Sequence, residues 1–303
     1  FRRQKPFCAG NSHRRGDRLH GRAVLFAVAQ ARQGGPALIQ ARNITAGYRG
    51  HQVLKDVDLG VAPGEFVGLI GPNGCGKTTL LRVISGVIRP TVGEVLLENQ
   101  NVSRMSRRSL GRLLAVLLQD SATDMAFTVG EVAAMGRWPH LSTFGVETRR
   151  DRQIVREALD VADIAHLADK PIAAISGGER QRAFFAMCLA QQPRVLLLDE
   201  PLSHLDIGHQ LSMLSLIRRL NRQLGLTVLA VFHDLNMAAE FCDRLAVLHE
   251  GRLAAVGDAA DVLKPQLLKQ VYRTTLDVMV NPITGRPQIV ISARETLVRH
   301  NPL

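Results

Sequence analysis

Aromatic residues are scarce in this chain. Of 303 residues only two are Tyr and one is Trp, and Phe, Trp and Tyr together make up 4%. Cysteine is equally thin. Cys8, Cys75, Cys188 and Cys242 stand far apart, with no C-x-x-C pair. That spacing argues against a disulfide framework or a zinc site and fits a reducing cytosol. No apolar run approaches the ~18 residues of a membrane-crossing helix, so the chain is not expected to span a bilayer by itself. There is no internal repeat and no low-complexity tract after Pro36.

What is there resembles an ordinary globular protein: 46% hydrophobic and 21% charged residues, enough for one large or two modest domains. The net charge of +11 is unevenly spread. Residues 1–36 carry eight basic side chains (Arg2, Arg3, Lys5, Arg14, Arg15, Arg18, Arg22, Arg32) against one acid, Asp17. This segment reads as a disordered basic extension that the folded domain does not need. A nucleic-acid-binding arm is the competing reading. The run "AVLFAVA" behind the basic residues has a faint signal-peptide look, at about the minimum core length. A run this short does not carry that reading by itself.

After Pro36 short β-rich runs alternate with helical ones. "ALIQARNITAGY", "VLKDVDLGV", "EFVGLI", "GEVLLEN" and "RLLAVLLQ" read as strands, with "KTTLLRVISGV" as a helix after the third. From Thr128 to about Ala190 the pattern is helical throughout. Strands return with "RVLLLDE", "TVLAVF", "RLAVLHEG" and "RLAAVG", and "HQLSMLSLIRRLNRQL" is a helix between the first two. Alternation of this kind means parallel βαβ units. The expected fold is α/β, with a helical subdomain inserted mid-chain.

The stretch "GPNGCGKTT", residues 71–79, carries the chemistry. Gly71 and Gly76, with four residues between them and Lys77-Thr78 after, let backbone N–H groups converge on a phosphate. The helix that follows adds its positive N-terminal end. Lys77 supplies a point charge for the β- and γ-phosphates, and the Thr78 hydroxyl is a Mg²⁺ ligand. The motif requires a strand before it and a helix after it, and both are present. Cys75, inside the loop and beside Lys77, is expected to be a reactive thiol that nucleotide protects. "RVLLLDE" is an apolar strand ending in Asp199, placed to hold Mg²⁺, and Glu200, placed to polarise a water. "ISGGERQR", residues 175–182, opens a helix at Ser176, Gly177 and Gly178 and offers a second anion-binding N-terminus. Taken alone it is a plain helix cap.

In their order these features identify a resemblance to the ATP-binding subunit of ABC transporters. The order is Tyr48, the loop 71–79, Gln119, "SGGE", "LLLDE", "SHLD" at 203–206, and His233 after "TVLAVF". The similarity runs from about residue 38 to 257 and weakly to about 291. It implies a P-loop NTPase core of the ABC type, with a mixed or parallel sheet, an antiparallel β subdomain and the helical insert. The implied limits are 37–257 for the ATPase domain, about 121–190 for the insert, and 258–303 for a C-terminal extension packing on the core.

The resemblance also implies roles. Tyr48 would stack on adenine. Gly71, Pro72, Asn73, Gly74, Cys75, Gly76, Lys77, Thr78 and Thr79 would cradle the phosphates of ATP. Thr78, Gln119 and Asp199 would serve Mg²⁺, and Gln119 would also sense the attacking water. Glu200 would be the general base, with His233 holding the γ-phosphate and the water. Ser176, Gly177 and Gly178 would contact ATP bound to a second copy, and Asp206 would couple the two sites. Two positions depart from the family pattern. Glu179 stands where the signature usually has Gln, and Leu202 stands where Thr or Ser usually follows "DEP".

One phosphate loop and one signature, without membrane spans, imply a head-to-tail dimer bound to separate permease subunits at the cytoplasmic face of the inner membrane. A substrate-binding protein would be an indirect partner, and no nucleic acid is expected. "HDLNMAAEFCDRL", "MGRWPHLSTFG" and "LDVMVNPITGRPQIVI" resemble the importer ATPases for iron-siderophore, haem and cobalamin. Trp138 and Phe144 would be either interface anchors on the insert or core residues within it. The alternative is a soluble ABC-type ATPase acting on nucleic acid or a protein machine.

Overall fold

A computed structural model describes residues 37–48, 50–118, 126–142, 145–203 and 205–290. Gln119, Phe144 and the extension 1–36 lie outside the described residues.

The centre is a six-stranded sheet. Its members are β3 (Phe66–Ile70), β6 (Leu114–Leu117), β7 (Val195–Leu198), β8 (Thr227–Val231), β9 (Arg244–His249) and β10 (Arg252–Gly257), in the order β10-β9-β3-β8-β7-β6. All neighbours are parallel except β10, which returns antiparallel along β9. Strands β3, β7 and β8 are buried at every position, as expected where a parallel sheet is covered on both faces.

Alternation along these strands divides the core in two. Val67, Leu69, Val195, Leu197, Leu229 and Val231 point to one side. There they meet helix α1 (Lys77–Ile84) and an antiparallel sheet of β1 (Ile39–Tyr48), β2 (His51–Val61), β4 (Val92–Leu97) and β5 (Gln100–Asn101). Phe66, Ile70, Leu196, Leu198, Val228 and Ala230 point to the other side, into a cluster built mainly with helices.

Helices α3 (Val129–Met135), α4 (Arg149–Val161) and α5 (Gly177–Ala190) form the mid-chain helical block. Each begins with a capping box: Thr128 with Glu131, Thr148 with Asp151, and Ser176 with Glu179. Such boxes satisfy orphan N–H groups at helix starts. Buried Arg137 ties the block together. Its Nε donates to Asp151 Oδ1 at 3.0 Å and its Nη1 to the Ala190 carbonyl at 2.7 Å.

One expectation needs correcting. "RLLAVLLQ" is not strand from its first residue, because Arg112 and Leu113 end helix α2 (Arg107–Leu113). Ser106 caps that helix by accepting the Ser109 amide at 3.0 Å, so the strand starts only at Leu114.

Helix α6 (Ile207–Leu224) joins β7 to β8, and α7 (Leu235–Phe241) joins β8 to β9. After β10 come α8 (Ala259–Val262), α9 (Pro265–Tyr272) and a hairpin of β11 (Asp277–Val280) and β12 (Pro287–Val290). The hairpin is fastened to α7. Asn236 donates to the Ile289 carbonyl at 3.1 Å and accepts from its amide at 2.7 Å, while Arg286 donates to the Cys242 carbonyl at 2.9 Å.

Candidate active site

The C-terminal ends of β3, β7 and β8 lie side by side, and the loops leaving them carry the motif residues. Ligand crevices form at such strand ends in open α/β sheets. The loop after β3 turns at once. Gly71 has φ +148°, and a Cβ there would lie 2.1 Å from the Leu248 carbonyl oxygen, so no side chain fits. Gly76 caps α1 with φ +112°, a backbone state that L side chains rarely adopt. Lys77 is buried, and its Nζ donates to the Gly71 and Pro72 carbonyls at 2.8 and 3.0 Å. The ammonium is therefore held inside the bend of the loop.

An open cleft of about 490 Å³ lies over this loop. Its lining comprises Val53, Asn73, Gly74, Gly76, Lys77, Thr78, Thr79, Glu200 and His233. Glu200 follows β7 with φ +51°. A non-glycine residue in that region costs of order 1–3 kcal/mol and persists only where its surroundings hold it. Here the turn delivers the carboxylate to His233 Nε2, and the Ser203 hydroxyl donates to its second oxygen at 3.3 Å. Asp199 sits just behind, with its carboxylate accepting from the Thr78 hydroxyl at 3.1 Å. Burial pushes the Asp199 pKa up, Thr78 opposes that, and the neighbouring Glu200 adds to it.

Some predicted residues stand apart from the cleft. Tyr48 ends β1, half exposed, with its hydroxyl accepting from Arg82 Nη1 at 3.1 Å. Ser176, Gly177, Gly178 and Asp206 do not line the cleft. They cap α5 and α6 instead, Ser176 through its box with Glu179 and Asp206 through the His209 amide at 2.9 Å.

The family model described as ABC transporter matches residues 54–203. Over 249 residues the chain is 39% identical to the iron(3+)-hydroxamate import ATP-binding protein FhuC of Bacillus subtilis (strain 168), covering 82% of this chain and 93% of that one. The chain belongs to the ABC transporter ATP-binding proteins. It is 42% identical over 257 residues to the hemin import ATP-binding protein HmuV of Bordetella pertussis, covering 82% of this chain and 97% of that one. A metal-chelate type ABC transporter in an inward-facing conformation shares the fold, with TM-score 0.74, 24% identity, and 84% and 97% of the two chains covered. A dimeric ATP-binding cassette bound to ADP and phosphate superposes with TM-score 0.64 at 28% identity, covering 73% of this chain and 98% of that one.

The expected reactivity of Cys75 in this ABC ATPase is corrected. The thiol is buried, and burial pushes its pKa up more strongly than the nearby Lys77 charge pulls it down. A helix N-terminus and a lysine favour the thiolate only where water can also reach it.

Sequence reading also missed neighbours of the site. Val53 of β2 forms one wall of the cleft. Tyr272 of α9 reaches the underside of the loop, where burial pushes its hydroxyl pKa up and a backbone hydrogen bond at Gly71 works against that. Both depend on long-range packing, and no motif or periodicity marks them. A second cleft, lined by residues such as Ile88, Arg89, Glu94 and Arg107, contains none of the motif residues.

Proposed function

We propose that this chain is the ATP-hydrolysing subunit of a bacterial importer for an iron chelate or haem, with cobalamin-type cargo in the same class. It would act as a dimer on the cytoplasmic face of the membrane, bound to permease subunits that an extracytoplasmic binding protein supplies. The observation that carries the catalytic part is the Glu200 carboxylate, held by His233 at the mouth of the phosphate loop. The cargo class is supported by relatives named for iron(3+)-hydroxamate and hemin import. No helix among the described residues is long and apolar enough to cross a membrane, which suits a chain that relies on partners for transport.

Each residue then has a task. Lys77 and the amides of 73–79 bind the β- and γ-phosphates of ATP, and Tyr48 stacks on adenine. Thr78 and Asp199 present two hard oxygen ligands side by side, one hydroxyl and one buried carboxylate, a donor set that fits Mg²⁺. Bound there with Gln119, Mg²⁺ would neutralise charge on the phosphate oxygens. Glu200 accepts a proton from the water that attacks the γ-phosphorus. His233 orients that carboxylate and contacts the γ-phosphate. The bond to the β,γ-bridging oxygen breaks and ADP leaves with phosphate. Ser176, Gly177 and Gly178 of a second copy complete each site, with Asp206 between the two.

The test is reconstitution in proteoliposomes with a candidate permease and binding protein. ATP turnover should rise when the binding protein carries an iron chelate or haem. Turnover that responds to no loaded binding protein and tracks an added nucleic acid instead would overturn the importer reading.

A further inference from the structure

Helices α3, α4 and α5 begin alike. Thr128, Thr148 and Ser176 each accept the amide of the third helical residue and donate their hydroxyl proton to its carboxylate. At α3 and α4 the hydroxyl has no other task in the reading above. Ser176 differs, because it opens the signature, lies exposed with Gly177, and is assigned to the ATP of a second copy. A serine hydroxyl has one proton to donate. Here that proton goes to Glu179 Oε2 at 2.7 Å, and the same oxygen accepts the Ser176 amide at 2.8 Å. The Ser176 hydroxyl first, and then the Ser176 amide, hold the Glu179 carboxyl below its usual range, so at neutral pH it is a carboxylate.

We propose that Glu179 is a positioning residue that sets a threshold for dimer closure, by holding the Ser176 hydroxyl proton that a phosphate oxygen of the second copy's ATP must take over. The proposal rests on the composite-site reading above. For Ser176 to donate to that phosphate, its bond to Glu179 has to break. The carboxylate then faces a hydroxyl lone pair. It also stands within two hydrogen-bond lengths of the phosphate, no more than about 5.5 Å, because both touch the same oxygen. Two negative groups that close repel each other. The amide of Ser176 stays on Glu179 throughout, so the helix keeps its cap while the hydroxyl changes partner. Glutamine at this position is neutral, and a hydrogen bond to a neutral acceptor is roughly half as strong as one to a carboxylate. The departure from the usual Gln therefore exchanges readiness to close for a firmer cap in the open protein.

The experiment compares Glu200→Gln with Glu200→Gln/Glu179→Gln and Glu200→Gln/Glu179→Asp, all hydrolysis-deficient. Sedimentation velocity with Mg-ATP at pH 7 reads the dimer dissociation constant of each. Two signatures close per dimer, so a gain of about threefold at each makes the Glu179→Gln dimer tighter by about tenfold. Glu179→Asp should stay within about twofold of Glu200→Gln. Aspartate keeps the charge, and Asp151 already holds the Thr148 hydroxyl and amide in this way, the amide at 3.0 Å and the hydroxyl at 2.6 Å. Binding of a fluorescent ATP analogue to the three monomers should agree within about twofold, which separates the effect from misfolding. An unchanged or weaker dimer in the Glu179→Gln protein overturns the role of Glu179 and leaves the sandwich intact. A gain in Glu179→Asp equal to that in Glu179→Gln also overturns it, since the charge would then not be the cause. Failure of all three proteins to dimerise with Mg-ATP overturns the composite site and this proposal with it.

Discussion

The Thr78 hydroxyl donates to Asp199 Oδ1 at 3.1 Å, joining the first turn of α1 to the end of β7 across 121 residues of sequence. In nucleotide-free protein this carboxylate is a liability, since burial raises its pKa and Glu200 raises it further. A raised folded pKa means stability that is full below the unfolded value of 3.8 and lost as pH rises through the folded value. Asp199→Asn removes that loss and keeps an oxygen for Thr78. Without nucleotide its Tm should match the parent near pH 4 and exceed it at pH 7 by roughly 2–4 °C, the shift that ~1 kcal/mol gives a protein this size. Mg-ATP should then add less stability to the variant than to the parent. Thermal scans with and without Mg-ATP check both, and a variant less stable than the parent at pH 7 contradicts the assignment.

The three described cysteines should resist labelling in the native state. Cys75, Cys188 and Cys242 are free and buried. Burial pushes all three thiols up, Cys188 to about 12. Peptide mapping after maleimide treatment at pH 7 should find Cys188 and Cys242 unmodified. Cys75 should react at least about tenfold more slowly than in denatured protein, because only the thiolate attacks. Labelling of Cys75 within minutes would restore the reactive-thiol expectation.

The sequence showed the site more clearly than it showed its surroundings. Residues 71–79 and 195–200 are local patterns, a Gly-rich bend and an apolar strand ending in acids, and each can be read without knowing the fold. The parallel strands of the central sheet follow from βα alternation and are present, whereas β10 turns straight back from β9 with no helix between and pairs antiparallel. Helix α2 was hidden because its cap, Ser106, precedes the arginine-rich "RRSLGRL", whose apolar positions are too few to set a period. The burial of Cys75 was hidden because Leu248 and Tyr272, far along the chain, close over the loop. The variant Glu179 acquires a local reason in the structure. Its carboxylate accepts the Ser176 amide at 2.8 Å and the Ser176 hydroxyl at 2.7 Å, which makes the signature a capping box.

Trp138, which the sequence allows as either an interface anchor or a core residue, is 72% exposed and lies at the surface. Its neighbour Arg137 is the buried one, paired with Asp151. Desolvation raises the Asp151 pKa, and hydrogen bonds from Thr148 and Arg137 outweigh it, so the carboxyl stays below its usual range. Arg137→Met should cost about 3–5 kcal/mol, because an uncompensated charge stays buried. Arg137→Met/Asp151→Leu should recover much of that loss by removing both charges. Since the Asp151 pKa is lowered, its contribution is present above 3.8 and fades as pH falls through the folded value. Chemical denaturation of the two variants and the parent at pH 7 and pH 4 reads all of this. Equal stability of the single and double variants would mean that the pair is not the tie.

Glu200→Gln should separate binding from hydrolysis. The amide keeps the shape of the side chain and a hydrogen bond to His233 but cannot accept a proton from water. Loss of a general base costs about 10² to 10⁴ in rate, so turnover should fall by that factor. Lys77, Thr78 and Asp199 are untouched, so Mg-ATP affinity should stay near the parent value. Lys77→Ala should lose both. Its ammonium sits inside the bend, 2.8 and 3.0 Å from the Gly71 and Pro72 carbonyls, and removing it takes away both the phosphate anchor and the tie that shapes the loop. Nucleotide affinity should then drop along with turnover. Single-turnover kinetics with filter binding distinguishes the two patterns. If Glu200→Gln hydrolyses ATP at the parent rate, the proton goes elsewhere, and the contact with His233 serves only to brace the turn after β7.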